Sequence, residues 1–290
     1  MDNPRDETFH PENSWVKGEV RELLKKYGLG AQKSLGQHFL IDENILRKIL
    51  ATANLKSGDT VVEVGPGLGV LTRGLVEKAK KVLAVEKDEE LAKVLRGEFW
   101  DAKNLEIINE DILRVDAIRF GADYKVVANL PYYITSKIIR YFLTSEYPPC
   151  ELILLVQKEV AERIIAKKGK MSLLTISVHF YGRPSLIDIV PRTSFWPAPK
   201  VDSVILKIEV DRNFAKKIDD HKRFFRLVKA GFGEKRKTLT NAFVGGLRME
   251  KEEVEKLLGE IGLDKKIRAE DLKLEEWAKI YKAFEKGMAR

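Results

Sequence analysis

Residues 60–69 read Thr60-Val61-Val62-Glu63-Val64-Gly65-Pro66-Gly67-Leu68-Gly69, a β-branched run followed by a turn that holds three glycines. The apolar run predicts a buried strand, and a helical pattern begins directly after the turn. Glycines let the backbone turn sharply and let a ligand approach the main chain closely. The turn is therefore either a cofactor-binding loop or a purely structural connection in an α/β protein.

Further apolar runs follow this stretch, with helical segments between most of them. They cover residues 81–85, 105–109, 124–128 and 152–156. Strands that alternate with helices predict a parallel sheet covered on both faces. Two late runs, 187–190 and 203–210, are predicted as antiparallel strands. The expected fold class is α/β, with a Rossmann-like sheet of seven strands.

The chain is predicted to have three regions. Residues 1–14 are polar, carry two prolines and are expected to form a disordered tail. Residues 15–210 are expected to form the α/β domain, which starts with helices over 16–27 and 41–53, the second capped by Asp42. Residues 211–290 show no convincing strand and predict a smaller all-helical domain.

Composition excludes several classes of protein. Of 290 residues, 44% are hydrophobic and 33% are charged, which is typical of a globular chain with a core. The net charge of +8 suggests a polyanionic partner. A single cysteine, Cys150, excludes an intrachain disulfide framework. With a polar N-terminus and only short apolar runs, we expect a cytoplasmic monomer that does not contact membranes.

Two acids are expected at strand ends beside the glycine turn. Glu86 ends the second predicted strand, where an acid can accept hydrogen bonds from both ribose hydroxyls. Asp111 follows the third, where it can accept from an adenine amine. The G-x-G-x-G spacing, with Glu63 two residues before the first glycine, resembles the S-adenosylmethionine-binding motif of class I methyltransferases. A carboxylate at that position attracts a sulfonium and repels a pyrophosphate. NAD is the alternative cofactor.

Asn129-Leu130-Pro131-Tyr132 follows the fourth predicted strand. The side-chain oxygen of Asn129 and the carbonyl of Leu130 can accept the two hydrogens of an exocyclic amine and direct its lone pair at a methyl donor. Pro131 fixes the turn, and Tyr132 can stack on the base. The alternative is an ordinary strand-to-helix turn in which Asn129 acts as a cap.

Two more segments complete a resemblance to a known family. They are KSLGQHFLID at residues 33–42 and FWPAPKVDS at residues 195–203. With the glycine turn and Asn-Leu-Pro-Tyr, they make residues 20–285 resemble the small-subunit ribosomal RNA adenine N6-dimethyltransferases, which are class I methyltransferases. The resemblance implies S-adenosylmethionine as cofactor and ribosomal RNA as partner. These enzymes are relatives of the large-subunit enzymes that confer macrolide resistance.

The resemblance also implies roles for particular residues. The expected cofactor-binding residues are His38, Leu40, Gly65, Gly67, Glu86, Asp111 and Asn129. In the family, the phenylalanine at the position of Phe195 packs on the target adenine opposite the tyrosine at Tyr132. The two rings then enclose an extruded base. Phe195 has a second interpretation, as an aromatic residue of the core.

Most of the positive charge lies at the start of the predicted helical domain. Residues 211–248 hold eleven Lys or Arg and four Asp or Glu. Because phosphate contacts dominate RNA affinity, this clustering predicts an RNA-binding surface. Its expected members are Lys222, Arg223, Lys235, Arg236 and Lys237. Isolated lysines such as Lys279 and Lys282 are assigned no function, and no metal is expected because the four histidines lack ligand spacing.

These features predict an S-adenosylmethionine-dependent enzyme that dimethylates the N6 amine of adenines, two adjacent ones, in small-subunit rRNA during ribosome assembly. Its catalytic group is expected to comprise Asn129, Leu130, Pro131, Tyr132 and Phe195. Two alternatives stay open. The chain is either a large-subunit rRNA adenine N6-methyltransferase of the macrolide-resistance type, or a non-catalytic RNA-binding assembly factor.

Overall fold

The computed structural model describes residues 15–30, 37–234 and 236–288. The tail expected at residues 1–14, the start of the 33–42 segment and Lys235 lie outside these ranges. No helix in the described ranges is both long and apolar enough to cross a membrane.

Nine strands and eleven α-helices cover most of the described chain. The strands are β1 (Phe39–Leu40), β2 (Thr60–Val64), β3 (Lys81–Glu86), β4 (Leu105–Asn109), β5 (Lys125–Asn129), β6 (Glu151–Gln157), β7 (Gly182–Val190), β8 (Phe195–Trp196) and β9 (Ser203–Val210). The helices are α1 (Trp15–Lys26), α2 (Glu43–Ala53), α3 (Val70–Val76), α4 (Glu89–Glu98), α5 (Thr135–Thr144), α6 (Lys158–Ile164), α7 (Leu173–Tyr181), α8 (His221–Gly231), α9 (Leu239–Leu247), α10 (Lys251–Glu260) and α11 (Leu274–Met288).

The main sheet has seven strands in the order β4-β3-β2-β5-β6-β9-β7, which confirms the predicted fold class. The strands from β2 to β6 pair in parallel, with Val62 opposite both Leu83 of β3 and Val126 of β5. These side chains are almost fully buried, because parallel strands need apolar cover on both faces. The apolar runs in the sequence therefore predicted the parallel strands β2 to β6 correctly.

A two-stranded antiparallel sheet joins the segments that contain His38 and Pro197. Phe39 of β1 lies opposite Trp196 of β8, and Leu40 lies opposite Phe195. The Ile41 amide donates to the Ser194 carbonyl at 2.9 Å and extends this pairing. Asp42 caps α2 as predicted, by accepting from the amides of its first turn. Two strands of two residues each leave no periodicity to detect, so sequence analysis missed the pair.

The described chain divides into two compact units. One holds the residues up to Lys158 together with Leu186–Ile208, and the other holds Glu159–Ser185 together with the residues from Glu209 onward. This division differs from the boundary expected at residue 211. The difference arises because packing, and not chain continuity, defines a unit. Phe180 of α7, for example, packs its ring against Phe224 of α8 at a centroid distance of 4.9 Å.

Gly69 connects the glycine turn to α3, and a substitution at this position would show how tightly the side chains around the turn are packed. It has φ of +84°, and a β-carbon built on it would lie 2.4 Å from Cε2 of the buried Phe99. Gly69→Ala therefore combines an unfavourable backbone conformation with a steric overlap. We expect it to lower the free energy of unfolding by about 2 kcal/mol, measured by urea titration with circular dichroism.

Gly18→Ala is the matched control. Gly18 lies within α1, and a β-carbon there would meet no atom within 4 Å. Alanine should raise stability at this position by about 0.5–1 kcal/mol. Equal stability changes at Gly18 and Gly69 would contradict the packing described for the turn.

Candidate active site

The carboxyl ends of β2, β3, β4 and β5 meet at one edge of the sheet, because these strands are parallel and adjacent. A cavity of about 290 Å³ lies at this edge. Ten of the residues expected at the site line it: His38, Leu40, Gly65, Gly67, Glu86, Asp111, Asn129, Leu130, Pro131 and Tyr132. The structure thus brings together residues from segments far apart in the sequence.

The glycine turn presents bare backbone to the cavity. Gly65 has φ of +64°, and the nearest atom to a β-carbon built there is Cδ of Pro131 at 3.9 Å. A side chain at this position would project into the space between the turn and Pro131. This arrangement fits a ligand that lies against the main chain, as expected for a nucleoside cofactor.

Glu86 links the turn to the end of β3. Its carboxylate is buried and accepts from the Gly67 amide at 3.1 Å and from the Asp88 amide at 2.9 Å. Burial raises the pKa of the Glu86 carboxyl, although these two hydrogen bonds oppose the shift. The carboxylate is held in one orientation, and its remaining lone pairs can accept from vicinal hydroxyls.

Glu63 is the most buried acid of the cavity, with 1% of its surface exposed. The hydroxyl of Thr72 donates to Glu63 Oε2 at 2.7 Å. Burial raises the pKa of Glu63 to about 8, and the nearby Glu86 carboxylate adds to the rise. Near neutral pH the side chain therefore holds a proton that a bound cation would displace.

Asp111 has the opposite electrostatic setting. Burial favours its neutral form, but the Leu113 amide at 3.1 Å and the Lys87 ammonium at 3.0 Å outweigh this effect and lower its pKa. Asp111 is therefore an ionised acceptor. The next residue, Ile112, is buried and also lines the cavity. Sequence analysis did not single out Ile112; its position directly after a strand-end acid was the available clue.

The Asn129 amide is oriented by a segment distant in sequence. Its Nδ2 donates to the carbonyl of His38 at 3.0 Å, and so the other atom of the amide, Oδ1, serves as the acceptor. The Leu130 amide donates to the Leu155 carbonyl at 3.1 Å, and the Thr135 hydroxyl donates to the Pro131 carbonyl at 3.1 Å. These bonds fix the backbone that follows β5.

Tyr132 stands beside this turn with its ring stacked on that of His38, at a centroid distance of 5.5 Å. The Tyr132 hydroxyl lies 2.8 Å from the Ser203 hydroxyl. His38 Nδ1 lies 2.6 Å from the Pro197 carbonyl, to which it donates. His38 therefore contributes its ring to Tyr132 and its backbone carbonyl to Asn129.

Phe195 is the one expected catalytic residue that does not line the cavity. It is 2% exposed and belongs to the apolar core. This placement matches its second interpretation as a core aromatic, and its contact with a target base stays a prediction. The neighbouring Trp196 is 38% exposed.

The basic residues expected to bind RNA lie in the second of the two units, called here the helical unit. It holds Glu159–Ser185 together with the residues from Glu209 onward. Lys222 and Arg236 are exposed, while Arg223 pairs with Glu285 at 3.0 Å and Lys237 pairs with Glu234 at 2.8 Å. Lys235 lies outside the described residues. A groove of about 800 Å³ is lined by both Arg223 and the lysines to which sequence analysis assigned no function, Lys279 and Lys282.

Possible metal ligands do not gather anywhere in the described parts of the chain. No group of three or more His, Cys, Asp or Glu side chains there could hold an ion. Cys150 is a free thiol whose pKa is raised by burial.

Comparison with known proteins identifies the family of the chain. A family model described as ribosomal RNA adenine dimethylase matches residues 28–286. A protein named ribosomal RNA small subunit methyltransferase A, from Dehalococcoides mccartyi, is 47% identical over 268 residues, which cover 91% of this chain and 92% of that protein.

Two solved structures share the fold. A dimethyladenosine transferase from Plasmodium falciparum superposes with a TM-score of 0.74 at 27% identity, over 86% of this chain and 98% of that one. The 23S rRNA methyltransferase ErmE superposes with a TM-score of 0.68 at 26% identity, over 85% of this chain and 99% of that one. The match to the family model across almost the entire described chain places this protein in the ribosomal RNA adenine dimethylase family.

Proposed function

We propose that this chain uses S-adenosylmethionine to dimethylate the N6 amine of adenines, two adjacent ones, in small-subunit rRNA during ribosome assembly. One observation carries the proposal. The Asn129 amide, oriented by the His38 carbonyl, shares a cavity with two strand-end acids, Glu86 and Asp111. That cavity combines acceptors for a nucleoside with acceptors for an exocyclic amine.

The donor groups of the cavity fit S-adenosylmethionine. Glu86, held by two backbone amides, would accept from the ribose hydroxyls, and the ionised Asp111 would accept from the adenine amine. The turn at Gly65 leaves room for the cofactor against the main chain. Glu63, once cofactor binding has displaced its proton, would supply negative charge near the sulfonium and amino group, which disfavours the alternative cofactor NAD.

When bound, S-adenosylmethionine supplies an electrophilic methyl group. Asn129 Oδ1 and the Leu130 carbonyl accept the two hydrogens of the target amine and hold its lone pair toward that methyl group. The carbon–nitrogen bond would form as the methyl–sulfur bond breaks. The nitrogen becomes acidic only at that stage and would release one proton to water, so no strong base is needed beforehand. Catalysis rests mainly on position, which is why the fixed backbone from Leu130 to Thr135 matters.

Dimethylation requires two transfers to one nitrogen. After the first transfer the amine keeps a single hydrogen, so only one of the two acceptors, Asn129 Oδ1 or the Leu130 carbonyl, retains its partner. Tyr132 would then hold the base by stacking while the amine turns. Phe195 is the candidate for the opposite wall, and because it is buried, its contact with a base requires movement of the β1–β8 pair.

The identity of the RNA rests on likeness to relatives. The chain is 47% identical to a small-subunit methyltransferase but 26% identical to the 23S enzyme ErmE, which favours the small subunit over the large. The acceptor set around Asn129 argues against a non-catalytic assembly factor. A ribosomal substrate is consistent with the cytoplasmic location and monomeric state expected from sequence.

The direct test is methylation of undermethylated ribosomal subunits with labelled donor, followed by mapping of the modified nucleotides in both rRNAs. We expect dimethyladenosine in the small-subunit RNA alone. Label in the large-subunit RNA would instead assign the chain to the macrolide-resistance type.

Asn129→Ala should abolish most methylation while the fold and most cofactor affinity are kept. Loss of one positioned acceptor removes transition-state alignment, and we expect kcat to fall by about 100-fold or more. Single-turnover methylation measures the rate, and calorimetry measures the dissociation constant of S-adenosylmethionine. Asn213→Ala, at an exposed position in the helical unit, is the control. Wild-type methylation by the Asn129 variant would overturn the catalytic assignment.

Cofactor affinity should rise with pH up to about 8. The pKa of Glu63 is raised to about 8 by burial, so at lower pH the cation must displace its proton. A single coupled proton changes the binding constant by up to about tenfold per pH unit, and the dependence should level off above pH 8. Calorimetry at several pH values, in buffers of different ionisation enthalpy, would count the released proton.

Glu63→Gln is the matched control for this pH dependence. The amide oxygen can still accept from the Thr72 hydroxyl, but it cannot ionise. The slope of affinity against pH should therefore disappear between pH 6 and 8. An unchanged slope in Glu63→Gln would assign the linked proton to another group.

The exposed basic residues should contribute to RNA affinity through phosphate contacts. Changing Lys222 and Arg236 together to Ala should weaken binding of small-subunit rRNA and reduce the slope of log K against log salt by roughly 0.7–0.9 per lost contact. Filter binding at several salt concentrations measures both. Lys93→Ala is the control, because Lys93 is exposed in α4 and already paired with Glu89 and Glu90. If the double variant has the same slope of log K against log salt as Lys93→Ala, Lys222 and Arg236 do not contact RNA phosphates.

A further inference from the structure

Large aromatic side chains are exposed at few places in the described chain. The most exposed are Trp100 at 83%, Tyr133 at 60% and Trp196 at 38%. A single exposed ring is common on protein surfaces, whereas exposed apolar residues beside a binding cavity mark an interaction site. Tyr133 lines the cavity, and Trp196 pairs with Phe39, which also lines it. Trp100 follows α4 and does not line the cavity.

Trp196 does not itself line the cavity, but its strand register pairs it with a residue that does. It is directly opposite Phe39 in the antiparallel β1–β8 pair, and such residues project from the same face of a sheet. Phe39 lines the cavity, and its ring packs 3.3 Å from a β-carbon built on Gly67. The alternation along β8 sends Phe195 into the core and Trp196 outward.

Tyr133 reaches the same cavity from the end of β5. It directly follows Tyr132 in a short 3-10 helix and lines the cavity, yet it remains mostly exposed. One face of the Tyr132 ring stacks on His38, whereas 60% of Tyr133 is exposed. The mouth of the cavity therefore carries aromatic surface that the core does not use.

An unpaired nucleotide has the chemistry that this surface fits. A base extruded into the cavity leaves its neighbours at the mouth, unstacked from each other and with exposed flat faces. Such bases gain affinity by stacking on aromatic side chains, irrespective of their sequence. Hydrophobic protein segments would also cover apolar rings, but continuity with a cavity that takes an adenine favours a nucleotide.

We propose that Trp196 and Tyr133 form a stacking rim that holds the unpaired nucleotides flanking the target adenine. This inference rests on the proposed function, since it assumes an RNA adenine in the cavity. The two side chains are positioning residues. They bind the RNA next to the reacting amine and do not touch the amine itself, so their loss should affect RNA binding and leave the chemical step largely intact.

The kinetic test uses the full chain and undermethylated small ribosomal subunits. Trp196→Ala should raise KM for the subunit by about tenfold and change kcat by less than about threefold, because one base–aromatic stack is lost. Tyr133→Ala should act in the same direction. Trp196→Phe should restore most of the affinity, and Trp100→Ala should match wild type.

Trp196→Leu separates stacking from a structural role. Leucine keeps an apolar contact with Phe39 but offers no aromatic face to a base. We expect it to have the KM of the alanine variant and the thermal midpoint of wild type. If Trp196→Leu has a wild-type KM, or if kcat and cofactor affinity fall with the midpoint, Trp196 is a packing residue and the inference is wrong.

Fluorescence tests binding without the reaction. In a Trp100→Phe background, single-stranded oligoadenylate should quench tryptophan emission, since a stacked base quenches an indole. A further Trp196→Phe change should remove that quench. Quenching that persists without Trp196, or that never occurs, overturns the inference.

The outcomes distinguish this inference from the proposed function. If the wild-type protein methylates subunits and Trp196→Ala has a wild-type KM, the stacking rim is rejected while the proposed methyltransferase function stands. If the wild-type protein methylates no adenine, the proposed function is rejected. The quenching of tryptophan emission by oligoadenylate then tests independently whether Trp196 stacks on bases.

Discussion

The hydrogen bond from Asn129 Nδ2 to the His38 carbonyl determines which atom of the Asn129 amide can accept a substrate hydrogen. It depends on two structures at once. Parallel pairing of β5 with its neighbours places Asn129 at the sheet edge, and the β1–β8 pair holds the segment that contains His38. A fault in either structure would rotate the amide or remove its partner. The geometry of the candidate site is thus a consequence of tertiary structure as much as of a local motif.

Glu63, Glu86 and Asp111, three of the acids that line the cavity, illustrate how environment separates residues of one chemical type. Glu63 is buried with a single hydroxyl donor and tends to hold its proton, whereas Asp111 has an amide and a lysine beside it and ionises readily. Glu86 lies between these extremes, buried but held by two amides. A cavity with this arrangement can bind neutral hydroxyls, an amine and a cation at different points without placing three full charges together.

Sequence analysis predicted much of this site because its chemistry lies at strand ends. Apolar runs located β2 to β6, and the residues after each run, among them Glu86 and Asn129, line the cavity. The prediction was weaker where contacts join distant segments. The boundary at residue 211 did not anticipate that Glu159–Ser185 belongs to the helical unit, since the rings that bind α7 to α8 leave no local pattern. The burial of Phe195 and exposure of Trp196 likewise depend on which face of β8 meets the core.

The sequence by itself determined the seven strands, the glycine turn and the residues at the strand ends, because local apolar patterns and backbone preferences specify them. Only the tertiary structure decided that His38 orients Asn129, that Trp196 lies opposite Phe39, and that Lys279 and Lys282 line one groove with Arg223. These neighbours come from separate strands and helices, and they meet because each element turns its apolar face inward. Burial of those faces, which is a property of the folded chain as a whole, sets which polar groups are left side by side.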